Sequence, residues 1–310
     1  MAGALDMAPF LGPVADGLRE RGAEVEVIGT QHPGEILTIG QRAVAGACDA
    51  VFFCGGDGSL GEGATALAGS RVALGVLPAG TGNVWAKQMG LPIAPLLPGY
   101  DPGEFLLRAA EAQLDGTARR VDVGQVGERR FLLWAGVGLD AFITHGVEPR
   151  PRAQKRLGMF PYMLAAVILA TQFGGMRAQI TVDGKRIKGR MLLVVASNTQ
   201  LYMGGLVRID PQARLDDGLL DVWVFYGLGV GWTVRQMAGL FAGRHLRDPH
   251  VRHLRGRHIA VTARPPADLH LDGDPTGTTP VVISVLPRAL SVLVPASAPG
   301  ELFLDSQASG

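Results

Sequence analysis

Val51-Phe52-Phe53-Cys54-Gly55-Gly56-Asp57-Gly58-Ser59-Leu60-Gly61-Glu62 carries the clearest signal in the chain. An apolar run that reads as a buried strand ends in glycines, and a helical pattern starts at once. Glycine lets a backbone approach a ligand closely, and the unpaired N–H groups at a helix start favour phosphate. The spacing is neither the P-loop, which needs Gly-Lys-Ser/Thr, nor the dinucleotide fingerprint. Taken alone, the unit fits equally a tight turn in which Asp57 caps the helix that follows. A second strand end, Leu74-Gly75-Val76-Leu77-Pro78-Ala79-Gly80-Thr81-Gly82-Asn83, adds polar groups at Thr81 and Asn83. If the two strands are neighbours, both loops lie on one carboxyl edge of the sheet, where open α/β sheets bind ligands.

The flanks extend this pattern. Residues 9–21 read as an amphipathic helix, 24–28 as a short strand, 35–47 as a helix, 50–54 as a strand, 60–68 as a helix, 72–77 as a strand and 83–89 as a helix. Such alternation predicts a doubly wound, mainly parallel sheet covered on both faces. Prolines cluster between 92 and 102, and a helix over 103–114 follows. From residue 120 the pattern turns strand-rich, with strands at 120–126, 130–135, 178–182, 185–197, 218–225, 258–263, 268–271 and 281–286. Helices near 153–173 and 231–243 interrupt it. The expected fold is therefore an N-terminal α/β domain, residues 1–118, and a C-terminal β-sandwich-like domain, residues 119–289.

The chain has 310 residues, 47% of them hydrophobic, and a formal net charge of +1. That excludes a disordered chain and argues against a dedicated nucleic-acid binder. Two cysteines make no disulfide framework. The start of the chain shows no signal peptide. Residues 157–176 are uncharged, but Gly158, Pro161 and Gly174-Gly175 break the run, so a buried helix, or one lining a lipid slot, is expected rather than a membrane span. Residues 244–264 hold six arginines and four histidines against one acid, Asp248. They read either as a solvated face or as a surface for anionic lipid.

Two further motifs carry carboxylates. In Leu269-His270-Leu271-Asp272-Gly273-Asp274, Asp272 and Asp274 flank a glycine at a strand end, and one can serve as a base with the other as its support or a metal contact. A plain surface turn fits as well. Arg214-Leu215-Asp216-Asp217-Gly218-Leu219-Leu220-Asp221 suits either a hairpin turn or a divalent-ion loop built from one carboxylate and backbone carbonyls.

Together these motifs resemble the bacterial diacylglycerol kinase and sphingosine kinase catalytic family, with its NAD kinase-like fold. Gly55-Gly56-Asp57-Gly58-Ser59 is similar to the family's GGDGT, and the segment from Pro78 to Ala86 to its P-x-GT-x-NDFA. Val121-Asp122-Val123-Gly124 resembles I-D-x-G, and Lys155, Leu157-Gly158 and Tyr162 resemble K-x-LG-x-x-AY. Asn198, Gly204-Gly205, Pro211 and Asp217-Gly218 follow the N…GG…P…DG series, and Leu271-Asp272-Gly273-Asp274 resembles LDGE.

The resemblance implies a cytoplasmic lipid kinase of phospholipid metabolism that uses ATP and Mg2+ and meets its lipid substrate transiently at the inner membrane surface. A homodimer is an open expectation, and no nucleic acid is a partner. Thr30, Gly55, Gly56, Asp57, Gly58, Ser59, Glu62, Thr81 and Asn83 would line the nucleotide site. Asp272 would be the general base, assisted by Asp274. Because phosphoryl transfer needs positioning and charge neutralisation above all, that base can keep an ordinary pKa. Asp217, with the carbonyls of Arg214 and Leu219, would hold a structural magnesium, and Asp57, Asp122 and Asp217 would form a polar network linking it to the nucleotide. Residues 290–303 would return to the first domain. The family's opening strand with its N-P-x-x-G turn is expected to be missing, and Gly61, Val84 and Asp274 stand where the family has Asn, Asp and Glu. The alternatives are a non-catalytic lipid-binding protein on the same fold and an NAD kinase-like enzyme with a soluble substrate.

Overall fold

The computed structural model describes residues 7–32, 34–46, 48–95, 99–147 and 168–304. Helices α1 (Ala8–Glu20) and α2 (Glu35–Ala45) precede strand β1 (Ala50–Gly55). Helix α3 (Asp57–Leu67), strand β2 (Ala73–Pro78) and helices α4 (Val84–Gln88) and α5 (Pro102–Leu114) complete the first half. The second half opens with β3 (Thr117–Val126), β4 (Arg129–Phe131), β5 (Trp134–Gly138) and α6 (Leu139–Val147). It continues through β6 (Met176–Val182), β7 (Lys185–Ser197), β8 (Leu201–Tyr202), β9 (Val207–Arg208) and β10 (Leu220–Tyr226). Helix α7 (Val230–Phe241) leads to β11 (Val251–Gly256), β12 (His258–Arg264), β13 (Asp268–Leu271), β14 (Asp274–Thr278) and β15 (Val281–Val294).

β1 and β2 pair in parallel, from Ala50 opposite Ala73 to Gly55 opposite Pro78. Every residue of β2 is buried, as expected for a strand covered on both faces. Parallel pairing in this register ends both strands at the same edge, so the two glycine loops leave side by side. The third parallel neighbour is the far end of β15, where Ser291 and Val292 face Ala73 and Leu74. The near end of β15 pairs antiparallel with β12 and β3. One strand thus runs from the antiparallel half into the parallel half, within a sheet of 13 strands among the described residues. One apolar cluster joins Leu60, Leu74 and Trp85 to Leu132, Trp223 and Leu290. A second fills the sandwich with Val137, Ile180, Val194, Val222, Ile259 and Ile283.

Three expected elements change. Residues 24–28 form no strand: Val27 and Ile28 are exposed, and only Val25 packs, against the cluster that holds Leu77 and Phe52. Among the described residues β1 has β2 on one side and no strand on the other. An extended segment with no ladder partner gains nothing from its β pattern. The single strand expected at 130–135 is two, β4 and β5, because the N–H groups of Leu132, Leu133 and Trp134 turn to a side chain instead of a neighbouring strand. β15 continues past Pro287, where the sequence suggested a stop: the register shifts between Leu286 and Leu290, Arg288 adopts φ 48°, and the strand resumes. The expected helix near 153–173 falls largely outside the described residues, as do Lys155, Leu157, Gly158 and Tyr162. Residues 168–172 of it are helical. Among the described residues, no helix is long and apolar enough to cross a membrane.

Candidate active site

The two glycine loops touch. Ala79 N–H donates to the Gly55 carbonyl at 3.0 Å, and a Cβ on Gly80 would lie only 2.5 Å from Gly56 Cα. Ser59 folds back on Gly55, where an added Cβ would meet its Oγ. Asp57 begins α3 but does not cap it. Its carboxylate crosses to the other loop and accepts from Val84 N and Trp85 N, both at 3.1 Å, and so caps α4. Burial raises its pKa, opposed by these two N–H groups and by Lys87. Asn83 sits in the left-handed region at φ 48°, accepting from Gly80 N and donating to Gly80 O, each at 2.8 Å. The amide of Asn83 is therefore spent on holding the loop. Thr81 is half-buried between these anchors. Thr30 lies in the irregular stretch 23–31 and hydrogen-bonds to none of these residues.

Asp272 comes from the other half of the chain and meets α3 at Gly61, just after the first loop. It occupies the tight turn between β13 and β14 at φ 50° and is 8% exposed. Its Oδ2 accepts from Leu132 N at 2.8 Å, and its Oδ1 accepts from Leu133 N at 2.9 Å and Trp134 N at 3.0 Å. Burial nonetheless dominates: with the negative charge of Asp57 adding to it, the Asp272 carboxyl is pushed up to about 7. This corrects the expectation of an ordinary carboxylate. A carboxylate offers about four lone-pair positions, and the three N–H groups leave one, on Oδ2. That oxygen faces Gly61, where a Cβ would stand 3.2 Å away. The absence of a side chain at 61 keeps the oxygen accessible from a crevice bounded by Gly58, Gly61, Glu62, Arg129, Asp272 and Asp274.

Asp274 lies over Gly58, where an added Cβ would meet its Oδ2 at 2.8 Å. Glu62 is raised in pKa by burial and then by the charge of Asp274, and Arg129 works against both. Arg129 Nη2 stands 4.0 Å from Asp274 Oδ2, and its Nη1 donates to Thr276 at 3.1 Å. Two carboxylates and a guanidinium thus gather beside Asp272. This donor set fits a nucleotide-bound magnesium, with Glu62 and Asp274 as the groups able to hold it.

Residues behind the site hold the Asp272 turn. His270, 1% exposed, donates or accepts at Nε2 with Asp140 Oδ2 across 2.7 Å, and its Nδ1 receives the Gly273 N–H at 3.1 Å. Tyr202 OH donates to the same Asp140 oxygen at 2.6 Å. A neutral imidazole protonated at Nε2 satisfies both of its contacts. Against the raising effect of burial, the hydrogen bonds from His270 and Tyr202 help to hold the pKa of Asp140 low. Sequence reasoning missed Arg129, Asp140, Tyr202 and the role of His270. Of these only His270, two residues before the Asp-Gly-Asp turn, gave any signal.

The second acidic loop is built around Asp122 and Asp217. Asp122 is fully buried and accepts from Gly218 N at 2.5 Å and Arg288 N at 2.7 Å, while burial pushes its pKa up to about 6. Asp217 accepts from Leu219 N at 3.0 Å and is ion-paired with Arg255. Arg255 also binds Asp221 Oδ1 at 3.0 Å. His253 sits between Asp221 at 2.8 Å and Asp210 at 3.2 Å. The Arg214 side chain reaches the Phe303 carbonyl at 3.3 Å. The cation beside Asp217, the expected magnesium ligand, is the Arg255 guanidinium, and the Arg214 side chain turns to Phe303. The expected network also differs. No hydrogen bond among the described residues joins Asp57 to Asp122 or Asp217. The link runs instead through Asn198 Nδ2, which donates to the carbonyls of Asp122 at 2.9 Å and Leu132 at 3.2 Å. Leu132 in turn donates to Asp272.

Residues 1–126 match the family model of the diacylglycerol kinase catalytic domain, and residues 134–294 match the YegS C-terminal NAD kinase beta sandwich-like domain. A "Probable lipid kinase YegS-like" of Pseudomonas aeruginosa PAO1 is 32% identical over 91% of this chain and 88% of its own. The diacylglycerol kinase of Mycobacterium tuberculosis H37Rv is 30% identical over 90% and 87%, and that of Bacillus subtilis 168 is 27% identical over 92% and 90%. The fold is that of a diacylglycerol kinase crystal structure from Bacillus anthracis, with a TM-score of 0.69 and 21% identity over 96% of this chain and 95% of that one. Two matched domains in the order of the fold, with relatives along nearly the whole chain, place this protein in the diacylglycerol kinase catalytic-domain family, as a lipid kinase.

Proposed function

We propose that the chain transfers the γ-phosphoryl group of ATP to a hydroxyl of a diacylglycerol-like lipid, with Asp272 as general base. The observation that carries this reading is the placement of Asp272, whose remaining lone pair opens onto the crevice beside Gly58, Gly61 and Glu62. In the reaction the lipid oxygen bonds to the γ-phosphorus, the bond from that phosphorus to the β–γ bridging oxygen breaks, and ADP leaves. The hydroxyl proton passes to Asp272 Oδ2. A base pushed up to about 7 is matched to proton transfer near neutral pH. The backbone of residues 55–59 and 80–82 and the start of α3 would cradle the phosphates. Glu62 and Asp274 would hold the magnesium that arrives with the nucleotide and neutralises phosphate charge, and Arg129 offsets part of the negative charge of these two carboxylates. Asp57 and Asn83 act one step back, fixing the two loops against each other. The reading implies a cytoplasmic chain that meets its lipid at the inner membrane surface.

Radiolabel transfer from ATP to diacylglycerol in mixed micelles tests the proposal, with Asp272→Asn as control. Transfer that needs Asp272 supports it. Binding of lipid with no transfer to diacylglycerol, a sphingoid base or phosphatidylglycerol would overturn it in favour of a lipid-binding protein.

A further inference from the structure

We propose that α7 and the turn after it form the face by which the chain docks on an anionic lipid surface, in the plane of the headgroups. The proposal rests on the lipid-kinase reading for its purpose, and on the following geometry for its place. One side of α7 is core: Thr233, Gln236 and Leu240 are buried, and Trp232 and Met237 pack on the main apolar cluster. The opposite side is apolar too. Val230, Val234, Ala238 and Phe241 are all exposed, Val234 by 62% and Phe241 by 50%. Their spacing of four, four and three places them in one stripe along the helix. A helix that covers a core shows charged or polar residues there instead. Leu246, exposed in the turn Arg244–Arg247, extends the stripe beyond the helix end.

The rim of this stripe is cationic. Arg235, Arg244 and Arg247 are exposed around it. Arg244 and Arg247 make no ion pair among the described residues. Arg235 lies 5.1 Å over the Trp232 ring and pairs with Asp248 at 2.8 Å. Asp248 is the single acid between residues 230 and 264. An apolar stripe bordered by arginines suits a surface that is apolar inside and negative at its edge, which is the chemistry of an anionic bilayer. A nucleic acid would be met by stacked aromatic rings in a basic groove, whereas Val230, Val234, Ala238 and Leu246 offer none, and a protein partner has no need of a rim with three arginines to one acid. At about 1.5 Å per residue, twelve residues are too short to span a bilayer but suited to lie in it. Residues 168–172, which carry exposed Ile168, lead to Phe173, which packs on the same cluster as Trp232 and Met237.

Cosedimentation of the full chain with phosphatidylglycerol–phosphatidylcholine vesicles, without ATP or diacylglycerol, tests the assignment. The chain should bind these vesicles and leave pure phosphatidylcholine nearly free. Val234→Glu with Phe241→Glu should lower binding at least tenfold, and Arg244→Gln and Arg247→Gln about fivefold each, the equivalent of ~1 kcal/mol per arginine near an anionic surface. Phosphorylation of a short-chain diacylglycerol kept monomeric should be retained by the Val234→Glu, Phe241→Glu variant, which shows that it is folded. Undiminished vesicle binding by that variant would overturn the proposal. Equal binding to neutral vesicles would too, as would retention of RNA through the same arginines with no vesicle binding. A chain that docks through this face yet transfers no phosphate would sink the kinase proposal and leave this one standing.

Discussion

Asp272 and Asp122 are carboxyls that the fold keeps out of water, and their protonation is coupled to stability. Their folded pKa values, about 7 and about 6, lie above the ordinary 3.8. The folded chain therefore holds more protons than the unfolded chain between pH 4 and 7. Stability from these groups is full below pH 4 and is lost as pH rises through 6 and 7. Urea denaturation at pH 5 and pH 8 should show this loss, and Asp272→Asn should remove the share that falls near pH 7. An unchanged slope in that variant would refute the assignment. Tyr202→Phe leaves a buried oxygen of Asp140 with one partner fewer and should cost about 1–3 kcal/mol of unfolding free energy. At this scale the sequence named Asp272, Asp57 and Glu62, because their motifs are local. It was silent on Arg129, Asp140 and Tyr202, since each meets the site only through tertiary folding from a stretch with no motif of its own.

Strands and loops were legible wherever the pattern alone decides them. β7 and β13 lie where alternation and turn residues put them, and the two glycine loops follow from apolar strands that end in glycine. Errors arose where a tertiary partner decides. Residues 24–28 have strand composition and, among the described residues, no neighbour to pair with. Leu132 and Leu133 have strand composition and give their N–H groups to Asp272. β15 crosses Pro287 because the Arg288 N–H bonds to Asp122 at the interruption. The contact between the loops gives a prediction of its own. At Gly80 an alanine would push a Cβ to 2.5 Å from the Gly56 backbone, with no flexible side chain to yield. Gly80→Ala should cost about 1–3 kcal/mol and weaken ATP binding at least tenfold by calorimetry. Normal ATP affinity in a folded Gly80→Ala chain would show that the touching loops do not form the nucleotide site.

Across the molecule, β15 is the joint. It pairs with β12 and β3 and then with β2, and Leu290 is fully buried in the cluster that holds Trp85 on one side and Trp223 on the other. The two halves should unfold in one transition, and Leu290→Ala should lower stability by about 2–5 kcal/mol for both together. Separate transitions by fluorescence and by circular dichroism would contradict this. The same joint brings residue 272 to Gly61 beside the first glycine loop, and phosphoryl transfer depends on that meeting. The pH dependence of single-turnover phosphoryl transfer is the sharpest check on it. The wild-type rate should climb about tenfold per pH unit below 7 and level above it, and an Asp272→Asn chain should be slowed by about 10²–10⁴ with that climb gone. A wild-type rate flat across pH 7, or an Asp272→Asn chain that keeps both rate and profile, would contradict it.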